Sequence, residues 1–149
     1  MKPKSIILLI VLLISFGSNL SGKDLLSFEL RLAKLKPDSS LKEMVFYNSD
    51  EIFFIEDSVF LSNEDLISAE VIDQETQPKI LVTLSDKGRQ KFYDFTKNNI
   101  GRNAAMIVDG ELVSAPRIQA QISEGRLIIA GFFSLEEANS IATGIIAEK

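Results

Sequence analysis

The alternation of apolar and polar residues predicts a chain built mainly of β-strands. Around Leu30 the alternation is strict: Phe28, Leu30 and Leu32 share one face, and charged residues occupy the other, as in a half-buried strand. Other runs rich in β-branched and aromatic residues are predicted as strands. They lie at residues 44–47, 52–55, 58–61, 70–74, 79–85, 104–108 and 111–113.

Two short connections between apolar runs predict β-hairpins. Asp109 and Gly110 separate two of the strands, and an Asp-Gly pair suits a type I′ turn, which needs positive φ at both central residues. A second hairpin is predicted to turn at residues 123–125, between runs at 118–122 and 127–130. The last third of the chain should therefore contain two strand pairs.

Capping residues predict three helices. Ser62 with Asp65 opens a short one that ends near Ala69, and Ser85 or Asp86 opens a second that ends near Asn98. The third begins with a capping box formed by Ser134 and Glu137, and its apolar residues recur at helical spacing. The predicted class is α+β: a mixed or antiparallel sheet with about three helices packed mainly on one face.

The first 22 residues have the order of a secretory signal peptide. Lys2 and Lys4 precede an apolar run at residues 6–16, and a small, polar stretch follows at 17–22. The apolar run is shorter than the ~20 residues that a membrane-spanning helix needs. We expect residues 1–22 to be a signal peptide, with an uncleaved N-terminal anchor as the alternative. Residues 23–149 would then form a single exported domain, periplasmic or on the outer face of the inner membrane.

Composition narrows the possible chemistry. The chain has no cysteine and no histidine, which excludes disulfides, thiolate metal sites and nucleophile pairs that depend on histidine. Its net charge of −5 argues against nucleic acid or an anionic membrane surface as a partner. We predict no catalytic residue, no metal ligand and no cofactor, and membrane contact only through an uncleaved N-terminal segment.

Two adjacent phenylalanines suggest an exposed apolar patch. If Phe132 continues the preceding strand, Phe132 and Phe133 cannot both face the core. One of them would then line a surface able to take an extended peptide. The glycines at 101, 125 and 131 have neither dinucleotide-binding nor phosphate-loop spacing and are interpreted as turn residues.

Residues along most of the chain also match a family pattern in order and spacing. From about Ser27 to Ala147 the chain resembles the head subdomain of the first periplasmic domain of SecD and fused SecDF. The segment from Ile107 to Pro116 carries the strongest resemblance. The other matching positions are 28–32, 61–66, Ala69, 82–85, Gly88, Phe92, Thr96, 99–102, Ile122, Gly125, Ile129, Gly131, Phe133, 137–139 and 141–142.

The resemblance implies a non-enzymatic binding module for protein export, in the form of a free-standing head without the membrane-embedded motor. In that family the head contacts emerging preprotein, so the expected partner is unfolded or translocating polypeptide. The strand at 28–32 and the run at 44–47 are candidate sheet edges for it; individual peptide-binding residues stay open. The alternatives are a structural or regulatory domain that binds one folded envelope or translocon protein, and an enzyme dependent on carboxylates, lysine or tyrosine.

Overall fold

The computed structural model of the protein describes residues 24–146. The predicted signal peptide or anchor at residues 1–22 lies outside this described part. Within it the chain forms nine strands, two α-helices and one 3-10 turn. In chain order these are β1 (Phe28–Lys34), β2 (Lys42–Val45), β3 (Ile52–Ile55), β4 (Leu61–Ser62), the 3-10 turn (Asn63–Asp65), β5 (Leu66–Ile72), β6 (Lys79–Leu84), α1 (Asp86–Asn98), β7 (Asn103–Val108), β8 (Glu111–Ser114), β9 (Arg126–Ala130) and α2 (Leu135–Gly144).

The larger of two antiparallel sheets is centred on β1. Its strand order is β2-β3-β1-β7-β8, and β4 also pairs with β1. The β1–β7 ladder runs from Phe28 opposite Val108 to Ala33 opposite Asn103. A smaller sheet has the order β5-β6-β9. The α+β class with antiparallel sheets is therefore confirmed.

One apolar core joins both sheets and both helices. The predicted alternation of β1 is confirmed, because Phe28, Leu30 and Leu32 are all buried in this core. Residues from β6, α1 and α2 complete it, among them Ile80, Val82, Phe92, Phe95, Ile141 and Ile145. A second, smaller cluster contains Ala33, Phe53, Ile55, Ala105, Ile107 and Leu112. The larger sheet thus buries apolar side chains on both faces.

The side chain of Asn63 joins the two ends of the described chain. Its Nδ2 donates to the carbonyl oxygens of Leu26 at 2.9 Å and Ile145 at 3.1 Å. Its Oδ1 accepts the N–H of Phe28 at 2.9 Å. A direct backbone bond from the Leu26 N–H to the Gly144 carbonyl lies beside them. One half-buried amide therefore brings together the start of β1 and the end of α2.

The first predicted helix is wrong: it is a single 3-10 turn followed directly by a strand. The expected capping box between Ser62 and Asp65 is present. The chain nevertheless becomes extended at Leu66 and pairs with β6 as far as Ile72, with an irregularity between Leu66 and Ser68. Six paired residues of the β5–β6 ladder outweigh a local cap that contributes about 1 kcal/mol.

Of the two predicted hairpins, the first is confirmed and the second is wrong. Asp109 and Gly110 turn with φ of 51° and 85° between β7 and β8. Residues 118–122 form no strand, and β9 pairs with β6 instead. The N–H of Ile122 donates to the Thr96 hydroxyl of α1 at 2.9 Å. The two isoleucines of this segment, Ile118 and Ile122, pack against the core near α1 and do not belong to a strand.

Candidate functional site

The first candidate edge, at residues 28–32, is not an edge. β1 lies in the middle of the larger sheet, with β3 and β4 on one side and β7 on the other. Strict alternation indicates that one face of a strand is buried, but it does not indicate which strands pair on either side of it. Contact between β1 and another polypeptide through backbone hydrogen bonds is therefore excluded.

The second candidate, β2, is an outer strand of the larger sheet. It pairs only with β3 among the described strands. Beyond its end the N–H of Phe46 donates to the Glu51 carbonyl at 2.8 Å, in the same register as the β2–β3 ladder. Backbone groups alternate in direction along an antiparallel strand. The N–H and C=O groups of Glu43 and Val45 therefore point away from β3, toward the open side.

The open side of β2 is short, because the sheet closes on itself one residue after Phe46. The N–H of Tyr47 donates to the Leu112 carbonyl of β8 at 2.9 Å, and Phe46 makes a parallel bridge with Leu112. In a parallel bridge of this kind the Leu112 N–H also donates to the Val45 carbonyl, so the sheet is closed from that carbonyl onward. An added strand would have the N–H and C=O of Glu43 and the N–H of Val45 to bond.

An aromatic pair stands at the closed end of this opening. The rings of Phe46 and Phe132 have centroids 5.4 Å apart, and Phe132 is 51% exposed. Phe133 is 5% exposed and belongs to the core, so the prediction that the two neighbours face opposite ways is confirmed. We call the N–H and C=O of Glu43 and the N–H of Val45, together with the side chains of Phe46 and Phe132, the edge site.

Polar contacts hold Phe46 and Phe132 in this arrangement. The Asn48 side chain donates to the Phe132 carbonyl at 2.6 Å. The Tyr47 hydroxyl donates to Oε2 of Glu137 at 2.5 Å. Burial of the hydroxyl, and then its bond to the Glu137 carboxylate, raise the pKa of Tyr47 far above its ordinary value. The bond therefore persists at every physiological pH.

Glu137 has two roles in this contact. Its Oε1 accepts the N–H of Ser134 at 2.8 Å, which confirms the predicted capping box of α2. Its other oxygen accepts from Tyr47. Sequence reasoning found the cap but missed the tyrosine, because 90 residues separate the partners and no local pattern relates them.

A second carboxyl near Tyr47, that of Glu111, is buried and forms no ion pair with the residues from 24 to 146. Burial, and then the charge of Asp109, raise the pKa of Glu111 to about 7. Glu111 opens β8 opposite Val108, directly after the Asp109-Gly110 turn. The folded protein therefore keeps a proton on Glu111 at pH values where the unfolded chain, with a pKa near 4.5, has released it.

We expect stability to fall as pH rises from about 4.5 to about 7, and Glu111→Gln to remove this part of the pH dependence. At pH 8 the variant should be more stable than the parent by about 1–3 kcal/mol, whereas at pH 4 the two should differ little. Urea unfolding followed by circular dichroism from pH 4 to 8.5 measures this. Glu124→Gln, at an exposed loop position, is the control, and parallel stability curves for Glu111→Gln and the parent would contradict the assignment.

Metal and membrane features were sought in residues 24–146 only. No three acidic side chains of this part are grouped as metal ligands would be. None of its helices has the length and apolar character to cross a bilayer. Separately from these findings, residues 24–146 present a short open strand edge on β2 and the exposed ring of Phe132.

Comparison with known proteins shows to which family the chain belongs. The family model for the SecDF P1 head subdomain matches residues 40–147. SecDF from Thermus thermophilus is 39% identical over 83 residues, which cover 55% of this chain and 11% of that protein. SecD from Leptotrichia buccalis is 35% identical over 130 residues, which cover 83% of this chain and 32% of that protein. The chain thus spans a third or less of these relatives.

Solved structures show the same fold. A structure described as a membrane component SecDF that enhances protein export superimposes with a TM-score of 0.65 at 23% identity, covering 83% of this chain and 63% of that one. SecDF in a super-membrane-facing form gives a TM-score of 0.64 at 24% identity, covering 80% of this chain and 18% of that one. At these identities the likeness concerns the fold.

Proposed function

Because the chain belongs to the SecDF P1 head family, we propose that it acts in protein export by binding an extended segment of unfolded or translocating polypeptide at the edge site. The observation that carries this proposal is the short open edge of β2 at the N–H and C=O of Glu43 and the N–H of Val45, followed directly by Phe46, whose ring packs on the exposed ring of Phe132. The domain works outside the cytoplasm as a binding module, without chemical conversion of its ligand.

The edge site suits a ligand of undefined sequence. Backbone hydrogen bonds depend on the main chain alone, so any extended segment without proline at the bonding positions can add to β2. The rings of Phe46 and Phe132 accept apolar side chains of different shapes. Three backbone groups and one aromatic contact give weak binding, with a dissociation constant of about 0.1–1 mM. Weak binding suits a polypeptide that is held only transiently.

Charged side chains keep the open edge from pairing permanently with another copy. Lys42 and Glu43 are both exposed on β2. Charges on short edge strands are a common protection against strand-to-strand aggregation. A transient ligand can still bind, because the ladder groups of β2 remain accessible between these side chains.

The sharpest test replaces Glu43 with proline. Proline removes the outward N–H at position 43 but leaves the β3-facing bonds of Met44 and Phe46 in place, and edge strands tolerate proline. We expect Glu43→Pro to weaken binding of an unfolded 12-residue apolar peptide at least tenfold, measured by NMR titration of the folded domain. Glu43→Ala, which keeps the N–H, should bind like the parent.

A second pair of variants separates the ring contact from the ladder. Phe132→Ser should weaken the same peptide about three- to tenfold, whereas Ile128→Ser, an exposed apolar residue of β9, should leave affinity unchanged. Thermal unfolding of each variant shows that the fold persists. If millimolar peptide shifts no resonance of β2, the proposal fails; affinity capture of one folded translocon protein in its place would then favour the structural alternative.

A further inference from the structure

A groove lies between the end of α1 and the segment that follows β8. It has a volume of about 330 Å³ and is lined by Ile100, Gly101, Arg117, Ile118 and Gln119. None of these residues belongs to the edge site. The groove is therefore a separate feature of the surface, and nothing in the proposed function uses it.

Backbone bonds hold the two walls of the groove together. The N–H of Gly101 donates to the Ile118 carbonyl at 2.7 Å, and the N–H of Ile118 donates to the Arg102 carbonyl at 2.8 Å. The N–H of Ala104 donates to the Pro116 carbonyl at 2.8 Å. With three bonds between the walls, the groove exists before any ligand arrives, so little ordering is needed on binding.

The cation in this groove, Arg117, has no carboxylate partner among the described residues. It is exposed, and its Nη2 lies 3.7 Å from where a Cβ on Gly101 would be, so the guanidinium rests on the bare backbone of the opposite wall. Three other arginines of the described part pair with carboxylates: Arg31 with Glu29, Arg89 with Asp86 and Arg102 with Glu56; Arg126, which does not line the groove, is unpaired like Arg117 among the described residues.

An exposed apolar side chain stands next to this free cation. Ile100 lines the same groove and is 57% exposed. A guanidinium forms paired hydrogen bonds with a carboxylate, and an isoleucine side chain packs against apolar groups. Together, Arg117 and Ile100 suit a short peptide segment that carries a carboxylate next to an apolar side chain.

We propose that this groove binds a polypeptide segment in which an acidic residue is adjacent to an apolar one. Charge complementarity points to this ligand, because Arg117 is an exposed guanidinium in the groove without a carboxylate partner among the described residues. The proposal deepens the proposed function, since it also takes polypeptide as the ligand, and it adds a preference that the edge site lacks.

The test compares two 12-residue unfolded peptides that differ only in Leu-Asp against Leu-Asn, by NMR titration at low salt. The parent should bind the aspartate peptide about five- to tenfold more tightly, with shifts at Ile100, Gly101 and Gln119. Arg117→Gln should lose this preference. Arg126→Gln is the matched control, because Arg126 is also exposed and also has no carboxylate partner among the described residues.

The outcomes separate the two proposals. Equal affinity of the parent for both peptides, or an unchanged preference in Arg117→Gln, overturns the groove assignment even if β2 resonances shift. Shifts in the groove that depend on aspartate, without any at β2, support the groove and overturn the edge site. Loss of the preference in Arg126→Gln as well as in Arg117→Gln would mean general charge attraction, and it also overturns the groove assignment.

Discussion

Gly131→Ala is expected to lower the free energy of unfolding by about 3 kcal/mol or more. A Cβ on Gly131 would lie 2.1 Å from the carbonyl oxygen of Val113, far inside contact distance. Neither backbone can move aside, because two hydrogen bonds hold them together. The Ser114 hydroxyl donates to the Ala130 carbonyl at 2.8 Å, and the Ala130 N–H donates to the Ser114 hydroxyl at 3.2 Å. This is where β8 of one sheet meets β9 of the other.

Urea unfolding followed by circular dichroism measures the effect. Gly110→Ala is the matched control: it has φ of 85° but no heavy atom within 4 Å of the added Cβ, so it should cost only about 1 kcal/mol of backbone strain. Equal losses for the two variants would show that the sheets can separate at Gly131, contrary to the packing described here.

The second large effect is expected at Asp65, which is 2% exposed. Its carboxylate accepts the Ser62 N–H at 3.0 Å and Lys91 Nζ at 3.1 Å, which ties the 3-10 turn to α1. The packing there is tight, since a Cβ on Gly88 would lie 2.7 Å from the Asp65 carbonyl oxygen. Asp65→Ala removes the cap and the ion pair together and should cost about 2–4 kcal/mol.

The partner variant tests the electrostatic part of this claim. Lys91→Met leaves the buried carboxylate without its cation and should cost about 2 kcal/mol or more. Combined with Asp65→Ala it should cost less than the sum of the single losses, by about 1–2 kcal/mol. Lys87→Met, at an exposed position of the same helix, should be nearly neutral. Additive losses for Asp65 and Lys91 would contradict a direct interaction.

The parts of the fold that depend on neighbours in sequence could be predicted. The half-burial of β1, the turn at Asp109 and Gly110, and the cap formed by Ser134 and Glu137 each follow from a few adjacent residues. Their physical causes are alternation of side chains, backbone conformation at the turn and hydrogen bonds within one helical turn. The structure confirms all three.

The errors concern choices among distant partners. The local cap at Ser62 and Asp65 predicts the start of a helix, but pairing with β6 determines the conformation of β5. The apolar run at residues 118–122 faces α1 and the core, which alternation alone cannot distinguish from a strand. The place of β1 in the centre of its sheet depends likewise on its pairing with three distant strands, β3, β4 and β7.

Only part of the candidate site could be predicted from the sequence. A split between Phe132 and Phe133 could be predicted from strand alternation. The neighbours of Phe132 could not, because Phe46 and Asn48 are more than 80 residues away and reach it only when the larger sheet curls. The groove at Arg117 depends in the same way on bonds between two irregular segments.

The position of Asn63 has a mechanical consequence for the domain. Tension applied between Leu26 and Ile145 would act first on the bonds of this one side chain and on the adjacent backbone bond from Leu26 to Gly144. Leu26 precedes β1 and Ile145 follows α2, so a pull on these two residues would load the Asn63 side chain before it loaded the β1–β7 ladder.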